Sequence, residues 1–284
     1  MPFYVGCQIA PPICHGAFRV HDLINVILLG IIEGITEFLP VSSTGHLLIA
    51  ENFGLGARSD LFNVGIQAGA ILAITLIYRN RIWQLLTQWR DPASRSYLLK
   101  LTAAFLITCV LGVVVTHYGF RLPETVTPIA WALIIGGFWI LGSEAIAARQ
   151  ADRTEVTWRV AILVGIAQIV AGMFPGTSRS GATIFTAMLA GTSHRAAATE
   201  FSFLVGIPTM YAATGYELLK VLKSGEAAHE DWTALIVGFV ASLIVAFVAV
   251  KWLLGYIRTH RFTWFAVYRI ALGMALLLLI PTGA

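Results

Sequence analysis

Residues 33 to 46 read EGITEFLPVSSTGH and gather two glutamates, two serines, two threonines and a histidine into a chain made mostly of Leu, Ile, Val, Ala and Phe. Glu33 and Glu37 are four residues apart, which on a helix puts both carboxylates on one face about one turn apart. Carboxylates so placed can hold a hard divalent cation such as Mg²⁺, which takes oxygen ligands together with substrate phosphates. An acid pair hydrogen-bonded to neighbouring helices is the alternative. Beyond Pro40, Ser42, Ser43 and Thr44 supply hydroxyls and Gly45 relieves backbone crowding. A short helix expected from Gly45 to Glu51 would present free N–H groups and a positive dipole end to an anion. His46 follows Ser43 by three residues, so a Ser–His pair of nucleophile and base is geometrically allowed. Helix capping by the serines and a satisfied buried histidine stay open beside it.

A second polar cluster, PGTSRSGAT at Pro175 to Thr183, contains Arg179 within an apolar setting, with Ser178, Ser180 and Thr183 as further hydroxyls. An arginine at membrane depth has to be paired, and its planar fork suits phosphate oxygens. An internal ion pair with Glu33 or Glu37 is the other reading, and the two can alternate as ligand comes and goes. Weaker polar candidates are Glu200 and Glu217 flanking one apolar stretch, Gln67 and Gln168 as cavity liners, and Arg269, which something must neutralise.

These residues need elements to position them, and the composition says which. The chain has 284 residues, 57% of them hydrophobic and only 12% charged, against about 25% charged in soluble domains; its mean hydropathy is +0.78. That is the make-up of an all-α, multi-span membrane protein. Six stretches approach the about 20 apolar residues that cross a bilayer: Leu61 to Tyr78, Leu98 to His117, Pro128 to Ala147, Ala198 to Leu219, Trp232 to Leu254 and Phe262 to Pro281. Two more, Leu23 to Leu39 and Trp158 to Phe174, run into Pro and then Ser, Thr and Gly, where a helix breaks. The net charge of +4 resides in short loops, which argues topology rather than nucleic acid. Cys7, Cys14 and Cys109 have no metal-ligand spacing. The first 22 residues lack the pattern of a signal peptide, so residues 1–21 are expected to be a poorly structured extension to a single membrane domain, 22–284.

A shift of 135 residues aligns the two broken stretches: Gly30 with Gly165, Pro40 with Pro175, Ser42 with Thr177 and Ser43 with Ser178. The halves are then about 22–150 and 157–284. Arginines after Tyr78, Ala148 and Leu254 mark cytoplasmic loops; the loops near Arg121 and Glu124, and with Glu226, Glu230 and Asp231, fall outside. Both termini are then outside, and the two broken stretches become re-entrant hairpins entering from opposite faces. The expected fold is six full transmembrane helices plus two re-entrant helical hairpins in an inverted-topology repeat. Irregular backbone at that depth must line protein or a water-filled cavity, so the hairpin tips mark a site for an anionic phosphorus group.

EGITEFLPVSSTGH and PGTSRSGAT closely resemble the two signature motifs of the bacterial undecaprenyl-diphosphatase family, integral-membrane enzymes of the bacitracin-resistance type. EFSFLVGIP at Glu200 to Pro208 and FAVYR at Phe265 to Arg269 echo it further. The likeness runs from about residue 22 to the end. It implies hydrolysis of undecaprenyl diphosphate to undecaprenyl phosphate and inorganic phosphate, recycling the lipid carrier of peptidoglycan and other cell-wall polymers. It further implies a multi-pass protein of the bacterial inner membrane, a polyprenyl diphosphate substrate, and dependence on a divalent metal, Mg²⁺ or Ca²⁺. Matched residue by residue, the family's acidic pair falls on Glu33 and Glu37, its proposed nucleophile on Ser43 and its histidine on His46. Its phosphate-binding arginine falls on Arg179, with Ser178 and Thr183 alongside; Ser180 and Ser42 complete the expected phosphate-binding set. His46 acts in this scheme as base or orienting group, or alternatively as the nucleophile itself. A transporter or flippase of a phosphorylated polyprenyl lipid is the rival from another class, because inverted repeats with broken helices also build transporters. Homo-oligomer formation, lipid chain length and the side of access are left open by the sequence.

Overall fold

The structure, a computed structural model, describes residues 20–119, 125–224 and 230–279. The N-terminal extension, save its last two residues, and the loop positions Arg121, Glu124 and Glu226 lie outside these. The described residues form helices α1 (Val20–Thr36), α2 (Ser43–Ala50), α3 (Asp60–Ile77), α4 (Arg79–Thr87), α5 (Pro92–His117), α6 (Val126–Ala147), α7 (Trp158–Met173), α8 (Arg179–Ala190), α9 (Arg195–Ser224), α10 (Trp232–Tyr256) and α11 (Thr263–Leu279), with a π-helical turn at Glu51–Leu55. Helix starts are set by side-chain caps: Ser59 accepts from Phe62 N, and Asp91 accepts from Ser94 N with Pro92 beginning α5. The two breaks fall at Pro40 and Pro175, as the prolines dictate, whereas α9 runs on through Pro208. The short α4 was not expected from the sequence; it exposes Trp83 and Leu86 while burying Leu85.

Four helices, α3, α5, α6 and α10, are long and apolar enough to cross a membrane. Their outward faces carry bare Leu106, Val110, Val113, Ile135, Phe138, Ile244 and Val248, an apolar surface that water would not tolerate at this extent. Small residues let the helices approach. A Cβ on Gly30 of α1 would stand 2.6 Å from the Gly238 carbonyl of α10, and one on Gly165 of α7 would stand 2.7 Å from the Ala104 carbonyl of α5.

The pairing has a pattern. α10 receives α1 and α3, and α5 receives α7 and α9; α3 lies against α9, and α6 against α11. The α1–α2 pair folds back so that its outer ends meet: Asp22 near the start of α1 bonds Arg58, just past the π turn, at 2.6 Å, and neighbouring Ser59 donates to Glu230 at 2.9 Å. The α7–α8 pair does likewise, with Thr192 Oγ1 donating to the Glu155 carbonyl at 2.8 Å and His194 N to Arg153 O at 3.0 Å. These ends are opposite. α10 starts beside Glu230 and, about 37 Å later at 1.5 Å per residue, delivers the chain to Phe262, whose N–H donates to Glu144 at 3.0 Å. Glu144 in turn holds Arg195, the first residue of α9, at 2.6 Å. The inner ends of both pairs therefore point toward the middle of the bundle, where Phe38 packs edge-on against Phe203 of α9, ring centres 5.1 Å apart.

Candidate functional site

At each inner end the chain must turn sharply from one helix into the next, and both turns use the same device. Ser42 (φ 76°, ψ 97°) and Ser178 (φ 71°, ψ 110°) are the two non-glycine residues with positive φ among the described residues. Each caps the helix that follows: Ser42 Oγ accepts from Gly45 N at 3.3 Å, and Ser178 Oγ from Gly181 N at 3.2 Å. Strain of about 1–3 kcal/mol at such positions persists only where surroundings enforce it, and it clusters at functional sites.

This matching geometry corrects the register expected after the prolines. Ser42 corresponds to Ser178 rather than to Thr177, because Gly176, at φ 89°, is an additional residue between proline and cap in the second turn. Ser43 and Arg179 thereby occupy equivalent places, each the first residue of its helix.

Both converge on one carboxylate. Ser43 Oγ donates to Glu37 Oε2 at 2.6 Å, and Arg179 Nη2 donates to Glu37 Oε1 at 2.7 Å. Gly206 of α9 makes room for the arginine, since a Cβ there would strike Arg179 Nη1. Glu33 is fully buried, and neither of its oxygens has a hydrogen-bond partner among the described residues. Glu37 and Arg179 are the charges within its electrostatic reach.

His46 faces elsewhere. Its Nδ1 donates to the Ser42 carbonyl at 2.7 Å, which leaves Nε2 to accept from the Tyr268 hydroxyl at 2.7 Å, with the two rings stacked. The Ser43–His46 hydrogen bond that the spacing allows is not formed; the base in contact with Ser43 is Glu37. The other hydroxyls serve the turns. Ser180 donates to the Leu39 carbonyl at 3.1 Å, tying the second turn to the first, and Thr183 donates back to Arg179 O at 2.9 Å.

Arg269, 1% exposed, clamps the whole arrangement. Its guanidinium donates to Pro40 O in the first turn, to Gly176 O and Thr177 O in the second, and to Ala132 O and Leu133 O of α6, at 3.1 to 3.4 Å. The expected neutralising partner is thus a cage of carbonyls rather than a carboxylate.

A cavity of about 550 Å³ opens at the turns, lined by Glu37, Ser42, Ser43, Ser178 and Arg179, with Gln67, Gln168, Thr108 and Thr209 on its walls. Gln67 and Gln168 are where the sequence suggested; Glu33, His46, Ser180 and Thr183 do not line it. Thr108 and Thr209 left no signal, since a threonine in a membrane helix ordinarily bonds its own backbone, as both do here. Tyr268 and Gly206 sat in quoted motifs, but nothing in their types tied them to His46 or Arg179. Two carboxylates, one with both oxygens unengaged, make a donor set that fits a hard cation. No group of three or more His, Cys, Asp or Glu assembles among the described residues, so substrate oxygens and water would have to complete any coordination shell.

Comparison with known proteins matches residues 26–275 to the family described as bacitracin resistance protein BacA. A protein of Rhizobium etli (strain CIAT 652) named undecaprenyl-diphosphatase is 68% identical over 262 residues, which is 92% of this chain and 98% of that one. One of the same name from Rhizobium leguminosarum bv. trifolii (strain WSM2304) is 70% identical over 263 residues, again 92% and 98%. A third so named, from Stenotrophomonas maltophilia (strain K279a), is 62% identical over 263 residues, covering 93% and 99%.

Proposed function

Because the chain belongs to the bacitracin resistance protein BacA family, we infer that it is an undecaprenyl-diphosphatase of the bacterial membrane. It hydrolyses undecaprenyl diphosphate to undecaprenyl phosphate and inorganic phosphate, returning a lipid carrier to cell-wall synthesis and contributing to bacitracin resistance. The observation that carries the chemistry is Glu37, shared by the Ser43 hydroxyl and the Arg179 guanidinium at the edge of a cavity.

In this reading a diphosphate entering the cavity draws Arg179 away from Glu37 Oε1, because a phosphate offers the fork more acceptor oxygens than one carboxylate oxygen. Ser43 Oγ then attacks the terminal phosphorus in line and passes its proton to Glu37, which already accepts it as a hydrogen bond. The anhydride P–O bond breaks, undecaprenyl phosphate leaves, and a phosphoserine remains. Glu37 returns the proton as water hydrolyses the ester. His46, with both nitrogens engaged, holds the Ser42 carbonyl and so the strained turn that aims Ser43. Ser42 and Ser178, as caps, keep the two helix N-termini directed at the anion. Glu33 and Glu37 would hold the divalent metal, Mg²⁺ or Ca²⁺, whose charge would offset that of the diphosphate.

The architecture proposed around this site is six full spans with two re-entrant hairpins, the halves running from about 22 to 150 and from about 157 to 284 in opposite senses, with both termini on the periplasmic side. It is supported by the reciprocal pairing of α1 with α10 and α7 with α5, by hairpin ends that meet at opposite poles, and by the matching strained serines. The decisive experiment is quenched turnover of the detergent-solubilised protein on labelled undecaprenyl diphosphate. An acid-stable phosphoenzyme lost in Ser43→Ala is expected; an acid-labile one that survives Ser43→Ala would move the attack to His46. Arg179→Ala with full activity would remove the site altogether.

A further inference from the structure

A second cavity, of about 440 Å³, lies at the arginine-rich pole and shares no residue with the first. α4, α5, the segment 154–156 and the first turns of α9 enclose it. Its wall includes Lys100 of α5, which is 9% exposed. Lys100 makes no ion pair or hydrogen bond among the described residues. Beside it Arg81 lays its guanidinium over the Tyr97 ring, 5.1 Å from the centroid, and commits Nε to Glu200 at 2.9 Å and Nη1 to Gln84 at 3.2 Å. Its Nη2 donates to nothing described. Ser96 and Thr154 add hydroxyls to the lining.

The lining carries two cations and two carboxylates, yet only one pair is made. Glu200 is held by Arg81, whereas Glu155, exposed at the rim, makes no ion pair with Lys100. Lys100, a mostly buried residue, is left without a direct ion-pair partner, and the cavity it lines gives an anion room to supply one. The donors are an ammonium with three N–H bonds, one open arm of a guanidinium and two hydroxyls, set round a polar hollow. They match a compact tetrahedral oxyanion better than a planar carboxylate, which offers fewer acceptors.

We propose that this cavity is a second phosphate-binding site, holding inorganic phosphate or the headgroup of a phosphomonoester lipid through Lys100 and Arg81. A lipid source is open to it because α4 at its rim exposes Trp83, and the turn that follows α4 exposes Trp89, rings of the kind that sit at headgroup level. The site stands on its own geometry and does not depend on the reaction assigned to the turns.

The test is binding of labelled inorganic phosphate to the full chain in phosphatidylcholine nanodiscs, read in an Arg179→Ala background so that the turns contribute little. Saturable binding of about one phosphate per chain is expected, with a rise in unfolding temperature as ligand is added. Adding Lys100→Met should weaken binding at least tenfold and abolish that rise, while Lys100→Arg keeps both. Without phosphate, Lys100→Met should unfold no earlier than its parent, because it breaks no ion pair or hydrogen bond and keeps an unbranched side chain; that comparison separates a lost ligand from a lost fold. Discs containing phosphatidic acid distinguish the sources: displacement of the label shows that headgroups enter, and no displacement shows that the cavity takes free phosphate. Absence of saturable binding in Arg179→Ala, or equal binding with and without Lys100→Met, would overturn the proposal.

Discussion

In the proposed reaction Glu37 is the residue on which the chemistry turns, since its carboxylate accepts from both Ser43 and Arg179. Glu37→Gln keeps a hydrogen-bond acceptor for Ser43 but removes the base, so turnover should fall about 100-fold or more, measured as phosphate release from the polyprenyl diphosphate. Tyr268→Phe, which cuts only the outer bond of His46, should cost far less. If it matched Glu37→Gln, the histidine would be the base and Glu37 a strut. Gly206→Ala tests the clamp from a distance. The new methyl collides with Arg179 Nη1, so the arginine must swing, and activity should drop by about tenfold or more in a chain whose unfolding temperature barely changes. A 1 Å misplacement of a positioning group can cost on this scale.

Among the elements, the two turns hold the two non-glycine residues of positive φ among the described residues. Ser178→Gly removes a cap yet releases the strain of a left-handed residue, so its stability should stay within a few tenths of a kcal/mol of the parent. Ser178→Ala loses the cap and keeps the strain, and should unfold about 1 kcal/mol sooner or more, read by thermal unfolding in detergent. Much of these elements was legible beforehand. Pro40 and Pro175 end their helices, and the four-residue spacing of Glu33 and Glu37 survives folding. A helix stands at each expected span, although Tyr78 falls just past α3, Phe262 just before α11, and Pro281 lies outside the described residues; four of these helices are long and apolar enough to cross a membrane. What the letters could not show were contacts made across the bundle and one inserted residue. Gly176 looks like any turn glycine until its φ of 89° reveals the extra step that brings Arg179 level with Ser43. His46 follows Ser43 at a spacing that permits a bond, and only the turn of α2 decides that its ring faces Tyr268 instead. Arg269 announced a need for partners, but carbonyls from three segments carry no residue signature.

For the whole molecule, the opposed poles make a topological prediction. In a chain freed of its own three cysteines, a cysteine at Ser59 and one at Arg258 should react with a membrane-impermeant maleimide from opposite sides of the membrane. Labelling of both from one side would overturn the inverted arrangement. The register also says what each half lacks. Counting back from the prolines, the counterpart of Glu37 is Gly172 and that of Glu33 is Gln168, while Ser43 is matched by Arg179. Gly172 has nothing within 4 Å of where a Cβ would stand, and it borders the cavity, so the room for substrate lies where the second acid is missing. In the proposed two-half arrangement the halves are unlike in a complementary way, one holding Glu33, Glu37 and Ser43, the other Arg179 and the vacant space. A self-paired first half would have two nucleophiles and nothing to hold the anion, and a self-paired second half two grips and nothing to attack with. Expressed as separate chains, the halves should regain activity only as a mixed pair.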